Sequence, residues 1–160
     1  TGSSRTEFIN EIEDLTTCIV LSNKNKINSK LSDISKYSMD NNFKIMVIAD
    51  AVKAITSAVK KDIEVIPVTI SKEILKSCVE LIKVVNFNKN GINKGTATAF
   101  LEAIDSIIDS RGKCISFKKT TDKLDKKVKQ LENLKMVDVD ITEKLGETKS
   151  LIRSSRPVSK

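Results

Sequence analysis

The chain has 160 residues, 39% of them apolar and 4% aromatic, and carries a formal net charge of +7. That length suits one well-buried core, and the scarcity of aromatics, with only two prolines, argues against a sheet-rich fold, because strands draw on aromatic and β-branched residues bounded by turn formers. The complete lack of histidine removes the commonest general base and the commonest metal ligand, so no catalytic residue, cofactor or metal site is assigned.

From Arg5 to about Lys36 the apolar positions Phe8, Ile12, Leu15 and Ile19, then Ile27, Leu31 and Ile34, step by four and three, which is one face of a helix. The polar run Ser22 to Lys26 interrupts that stripe and predicts a kink or stutter. Asp40 or Asn41 is the expected N-cap of a second helix over residues 43–64. This is the most apolar element, with Val47, Ile48, Ala51, Val52, Ile55, Ala58 and Val59 on one arc. Asp50, Lys53, Thr56, Ser57, Lys60 and Lys61 lie on the other. Asp62 would project into the apolar arc, so regular packing is expected to end near Lys61, and Pro67 forbids a continuous helix beyond it.

Ser71 is expected to cap a third helix to about Val85, with Ile74, Leu75, Cys78, Leu81 and Ile82 inward. Residues 86–95 have no helical period and read as a basic connection carrying Phe87, Lys89, Ile92 and Lys94. Thr96 or Thr98 opens a fourth helix through Phe100, Ala103, Ile104, Ile107 and Ile108, with Gly112 as its C-cap or hinge. A final helix starts near Ser116 with the stripe Phe117, Leu124, Val128 and Leu131. The alternation from Met136 to Ile141 weakens the helical pattern before Ile141, Leu145 and Ile152 resume it. No repeat of fixed period is visible. The expected architecture is an all-α, single-domain antiparallel bundle of four or five helices over residues 1–152, with its longest elements at the two ends of the sequence and a flexible basic tail over 153–160.

Charge is unevenly placed along the chain. Residues 1–80 hold eleven basic and eleven acidic side chains, whereas residues 81–160 hold seventeen and ten. Cys18, Cys78 and Cys114 are an odd number without paired spacing, and a zinc site is disfavoured; reduced core thiols are the expected state, with one disulfide and one free thiol as the alternative for an extracellular chain. No segment is long and apolar enough to span a bilayer. The expected location is extracellular if an N-terminal signal has been removed and cytoplasmic otherwise.

Carboxylate pairs such as Asp122 with Asp125, Asp138 with Asp140 and Glu11 with Asp14 sit in charged surroundings and read as solvated helix faces. Neither phosphate-binding glycine pattern is present. Serine–lysine pairs at Ser29-Lys30, Ser71-Lys72 and Ser116 with Lys119 are the spacing expected by chance in a chain rich in both. The strongest constellation is the basic amphipathic helix from Ser116 to Gln130, where Lys119, Lys123, Lys126 and Lys127 gather opposite its apolar stripe.

The function expected on these grounds is a non-enzymatic binding module with no cofactor and a protein as its first-choice partner. The expected partner surface is Lys113, Lys118, Lys119, Lys123, Lys126, Lys127, Phe87, Lys89 and Lys94. A membrane-active protein that binds or perturbs anionic bilayers is the alternative. A carrier of apolar ligands, with a cavity among Val47, Ile55, Cys78, Ile104 and Phe117, is the third. Nucleic acid is disfavoured, because only four arginines and few aromatics are available for base contacts and stacking.

Overall fold

The computed structural model describes residues 2–87, 92–110 and 118–155. Seven helices and no strand occur among the described residues: α1 (Gly2–Val20), α2 (Lys24–Ser35), α3 (Asn41–Lys61), α4 (Val68–Val84), α5 (Lys94–Asp109), α6 (Lys118–Glu132) and α7 (Val139–Ser155). The fold is all-α, but the expected four or five helices become seven because each of the two outer segments divides in two. The longest helix is accordingly α3, near the middle, and not an element at either end.

Both divisions fall at a residue with left-handed backbone. Ser22 has φ 56° and Lys135 has φ 53°. At the end of α1 the amide of Asn23 donates to the Cys18 carbonyl and that of Ser22 to the Ile19 carbonyl, the paired bonds of a Schellman stop. At the end of α6 the Lys135 amide donates to the Glu132 carbonyl in the same way. Glycine usually occupies this position and neither site has one; the kink expected over Ser22 to Lys26 and the weakened pattern from Met136 are full helix stops.

The starts of the helices are set by side-chain acceptors. Asn23 caps α2 through the Lys26 amide, Asp40 caps α3 through the Asn42 amide, and Asp138 accepts from the Ile141 amide at the head of α7. Two expected caps are displaced. Asn93, not Thr96 or Thr98, caps α5, its side chain accepting from the Thr96 amide. Pro67 precedes α4 without a side-chain cap, and Ser71 lies one turn inside that helix, fully buried. Pro67 at this boundary spares the helix an unsatisfied amide and presets its backbone angle.

The helices form two layers. α1, α3, α5 and α7 pack side by side in one, and α2, α4 and α6 in the other. Within each layer neighbours run parallel. Asn42 meets Asn93, Lys53 meets Glu102, and Thr56 meets Ser106, so α3 and α5 advance together. Lys94 with Asp140 and Lys144 with Asp105 show the same for α5 and α7. Glu80 with Lys123 and the Val85 carbonyl with Lys127 show it for α4 and α6. Helices in opposite layers run antiparallel, as with Glu11 against Lys30 and Phe8 against Tyr37 in the α1–α2 hairpin.

One apolar core fills the space between the layers, with Phe8, Ile48, Leu75, Ile82, Phe100 and Ile104 each at most 1% exposed. The closest packing is between α3 and α5, where small side chains let the backbones approach. Ala99 and Ala103, seven and three residues before Ser106 and so on its side of α5, are buried, and the Thr56 hydroxyl, expected on the polar face, is buried as well. It donates back to the Val52 carbonyl and meets the Ser106 hydroxyl, while Ser110 donates to the Thr56 carbonyl at 2.9 Å. A threonine can occupy a core position on these terms because its hydroxyl finds a carbonyl one turn back. At the other end of the chain, Arg153 to Ser155 continue α7 with Ser155 buried, so that part of the expected tail is helical. Residues 156–160 lie outside the described residues.

Candidate functional site

The expected partner surface is not one patch. Lys119 and Lys126 are exposed on α6. Lys123, in the same helix, reaches across to Glu80 of α4 at 2.9 Å, where Lys83 also binds the carboxylate at 3.2 Å. Burial raises the Glu80 pKa, but the hydrogen bonds and charges of Lys123 and Lys83 outweigh it and hold the carboxyl below its ordinary value.

Lys127 departs from the expected solvated face. It is 8% exposed and its ammonium donates to the Val85 carbonyl, the free carbonyl beyond the last turn of α4. Burial, helped by the charge of Lys83, lowers its pKa. Its place in the sequence explains this: Lys127 is three residues after Leu124 and four before Leu131, both buried, so it belongs to the inward stripe. Lys94 lies at the head of α5 in the other layer, bound to Asp140 at 2.6 Å and Asp138 at 3.6 Å. Phe87 is half-buried, edge-on to Phe100 at 4.9 Å between ring centroids. Lys89 and Lys113 lie outside the described residues, as does the side chain of Lys118.

What the sequence order concealed is a segregation of charge by layer. The helices α2, α4 and α6 together hold twelve lysines and six carboxylates, and no arginine. The helices α1, α3, α5 and α7 hold nine basic and eleven acidic side chains. The cationic face is therefore the outer side of the second layer, with Lys24, Lys76, Lys83, Lys119, Lys126 and Lys129 exposed on it. Lys24 and Lys76 both bind Glu73, so the face carries an excess of cations over the carboxylates interleaved among them. The apolar stripe of α6 is spent on the core, since Leu124, Val128 and Leu131 are at most 1% exposed.

Among the described residues, shallow depressions break the surface, two of them lined mostly by polar side chains. One of about 430 Å³ lies between α1 and α2, lined by Asp14, Thr17, Cys18, Lys26, Ser29 and Lys30. Its Lys30 is held by Glu11 and Asp14 at 3.3 and 3.5 Å. The other, about 290 Å³ between α3 and α5, includes Asp105, which is bound by Lys144 and Thr148. In both, ion pairs within the fold engage charged groups of the lining. Among the described residues no group of three histidine, cysteine or acidic side chains is placed to hold a metal ion, and no helix is long and apolar enough to cross a membrane. Cys78 is sealed in the core and burial pushes its thiol up to about 12, whereas Cys18 is half-buried; neither is in a disulfide. Cys114 lies outside the described residues, as does Phe117 of the expected ligand cavity; Ile55, Cys78 and Ile104 of that set are buried and Val47 is half-buried. No family model matches the sequence, no curated protein matches it, and no solved structure matches the chain.

Proposed function

We propose that the chain is a non-enzymatic binding module that docks an acidic protein surface against the lysine face of α2, α4 and α6. The observation behind this reading is the twofold excess of lysine over carboxylate in that layer, beside a first layer that is slightly acidic. Three adjacent helices of 12, 17 and 15 residues, spaced by roughly 9 Å, offer an outer face of roughly 600 Å². That approaches the roughly 800 Å² per partner of an ordinary protein interface. Lysine without arginine suits this use better than base recognition, because its ammonium is a point charge and lacks the planar fork that reads guanine or stacks on bases.

The reading is tested with poly-L-glutamate and a single-stranded oligonucleotide as probes at low and high salt. Binding of poly-L-glutamate that fades with salt, falls severalfold in Lys126→Glu and is unchanged in Arg153→Glu, on the first layer, supports it. Equal losses from both substitutions would show a net-charge effect and no docking face. Preference for the oligonucleotide would replace the protein partner with nucleic acid.

A further inference from the structure

One end of the molecule carries exposed aliphatic side chains that the lysine face does not explain. Nine large apolar side chains are exposed among the described residues, and five of them belong to two adjoining turns: Val20, Leu21, Val65, Val68 and Ile70. Leu21 is 71% exposed and Val65 81%. The ion pair of Lys24 with Glu73, 3.4 Å long, ties the α1–α2 turn to the start of α4 and so brings the two turns to the same end. Scattered single exposures are ordinary, but a cluster marks a surface that something covers.

Around this tip stand Lys24, Lys26, Lys60, Lys61 and Lys72, against Asp62, Glu64 and Glu73, with Asp14 sharing a depression with Lys26 and Asp109 one with Lys60. The opposite end provides the contrast. Val137 and Val139 are just as exposed there, but they alternate with Asp138 and Asp140. Among the described residues, the first tip alone thus sets a cluster of aliphatic side chains among exposed lysines. We infer that the Leu21 and Val65 turns form a peripheral membrane-docking tip, whose aliphatic side chains enter the headgroup boundary of an anionic bilayer while the surrounding lysines meet its phosphates and carboxylates. The chemistry favours lipid over a protein groove, because the tip offers only branched aliphatic chains on projecting turns, without the tryptophan, tyrosine or arginine that anchor protein interfaces. Charge and apolar insertion together supply the two signals that stable peripheral binding requires. The tip shares Lys24 with the lysine face, but its aliphatic turns lie outside that face, so substitutions at Leu21 and Val65 test the tip alone.

The chain has no tryptophan, so Val65→Trp and Val137→Trp each introduce a unique fluorophore, one at each end. Vesicles of phosphatidylcholine alone and of phosphatidylcholine with 30% phosphatidylserine are the probes. The expected result is sedimentation of the wild-type chain with the anionic vesicles only, with the reporter at 65 shifted to the blue and quenched by brominated lipid and the reporter at 137 unchanged. The double substitution Leu21→Gln and Val65→Gln is expected to weaken partitioning at least tenfold while leaving the helical circular dichroism intact. The inference is overturned by failure of the wild-type chain to bind anionic vesicles at low salt, by equal binding to neutral vesicles, or by a position-65 reporter that stays in water. A blue shift without lipid that grows with protein concentration overturns it too, since a second copy would then cover the tip.

Discussion

Replacing Ile55 by alanine tests the layered core at its centre. Ile55 is 3% exposed on α3, the helix that packs against α1, α4 and α5. The substitution removes three carbons, a transfer loss of ~2.4 kcal/mol at ~0.8 kcal/mol each. Helices on three sides limit collapse into the space left behind, so the cavity contribution brings the expected loss to about 3–5 kcal/mol. For a chain of this length that lowers the thermal midpoint by roughly 10 °C. Urea unfolding followed by far-ultraviolet circular dichroism measures the change, and Ile70→Ala, 39% exposed at the start of α4, serves as the comparison with a loss below about 1 kcal/mol. A loss below about 1 kcal/mol for Ile55→Ala would refute the placement of α3 at the centre of the fold.

Lys127→Met keeps the length of a buried side chain and removes its charge, so stability should stay within about 1 kcal/mol of wild type; a drop of several kcal/mol in urea unfolding would mean that the bond to the Val85 carbonyl outweighs the desolvation of the ammonium. Ser22→Gly and Lys135→Gly relieve left-handed backbone at two helix stops and should each add about 0.5–1 kcal/mol, read in the same assay. The Glu80 carboxyl titrates below its ordinary value of 4.5 when folded, so its contribution is complete above that pH and disappears as pH falls through the folded value. In Glu80→Gln, stability measured between pH 6 and 3 should therefore decline less steeply than in wild type, and an unchanged slope would count against the Lys83–Glu80–Lys123 cluster.

The helices that were legible are those whose inward stripe is uninterrupted. Ile74, Leu75, Cys78, Leu81 and Ile82 reveal α4, and Phe100, Ala103, Ile104 and Ile107 reveal α5, in sequence and structure alike. At Ser22 and after Lys135 the broken stripe marks an interruption but not a full stop, because the chain takes up a glycine-like conformation there without a glycine. Thr56 and Lys127 were assigned by residue type to the solvated side, although their spacing from buried neighbours places both inward, and each has a backbone carbonyl to satisfy it. The cationic face is not legible in the sequence for a different reason. Its lysines come from alternate helices, α2, α4 and α6, and their association depends on which helices share a layer. The stagger between successive parallel helices is uneven: about 50 residues separate Thr56 from Ser106, but 43 separate Glu80 from Lys123. No fixed period therefore marks the stacking in the sequence.

Among the described residues α1 and α2 make no contact with α6 or α7, so the first hairpin does not brace the last. Cooperativity must pass through α3, α4 and α5, as it does between adjoining units of a stacked array. Backbone amides in those central helices should be the slowest to exchange with deuterium, and those of α1–α2 and α6–α7 faster, each flank fraying independently of the other. The lysine face and the aliphatic tip both draw on flanking as well as central helices. A partner that bridges α2, α4 and α6 would accordingly slow exchange at both flanks at once, giving the molecule a long-range coherence that its own contacts do not provide.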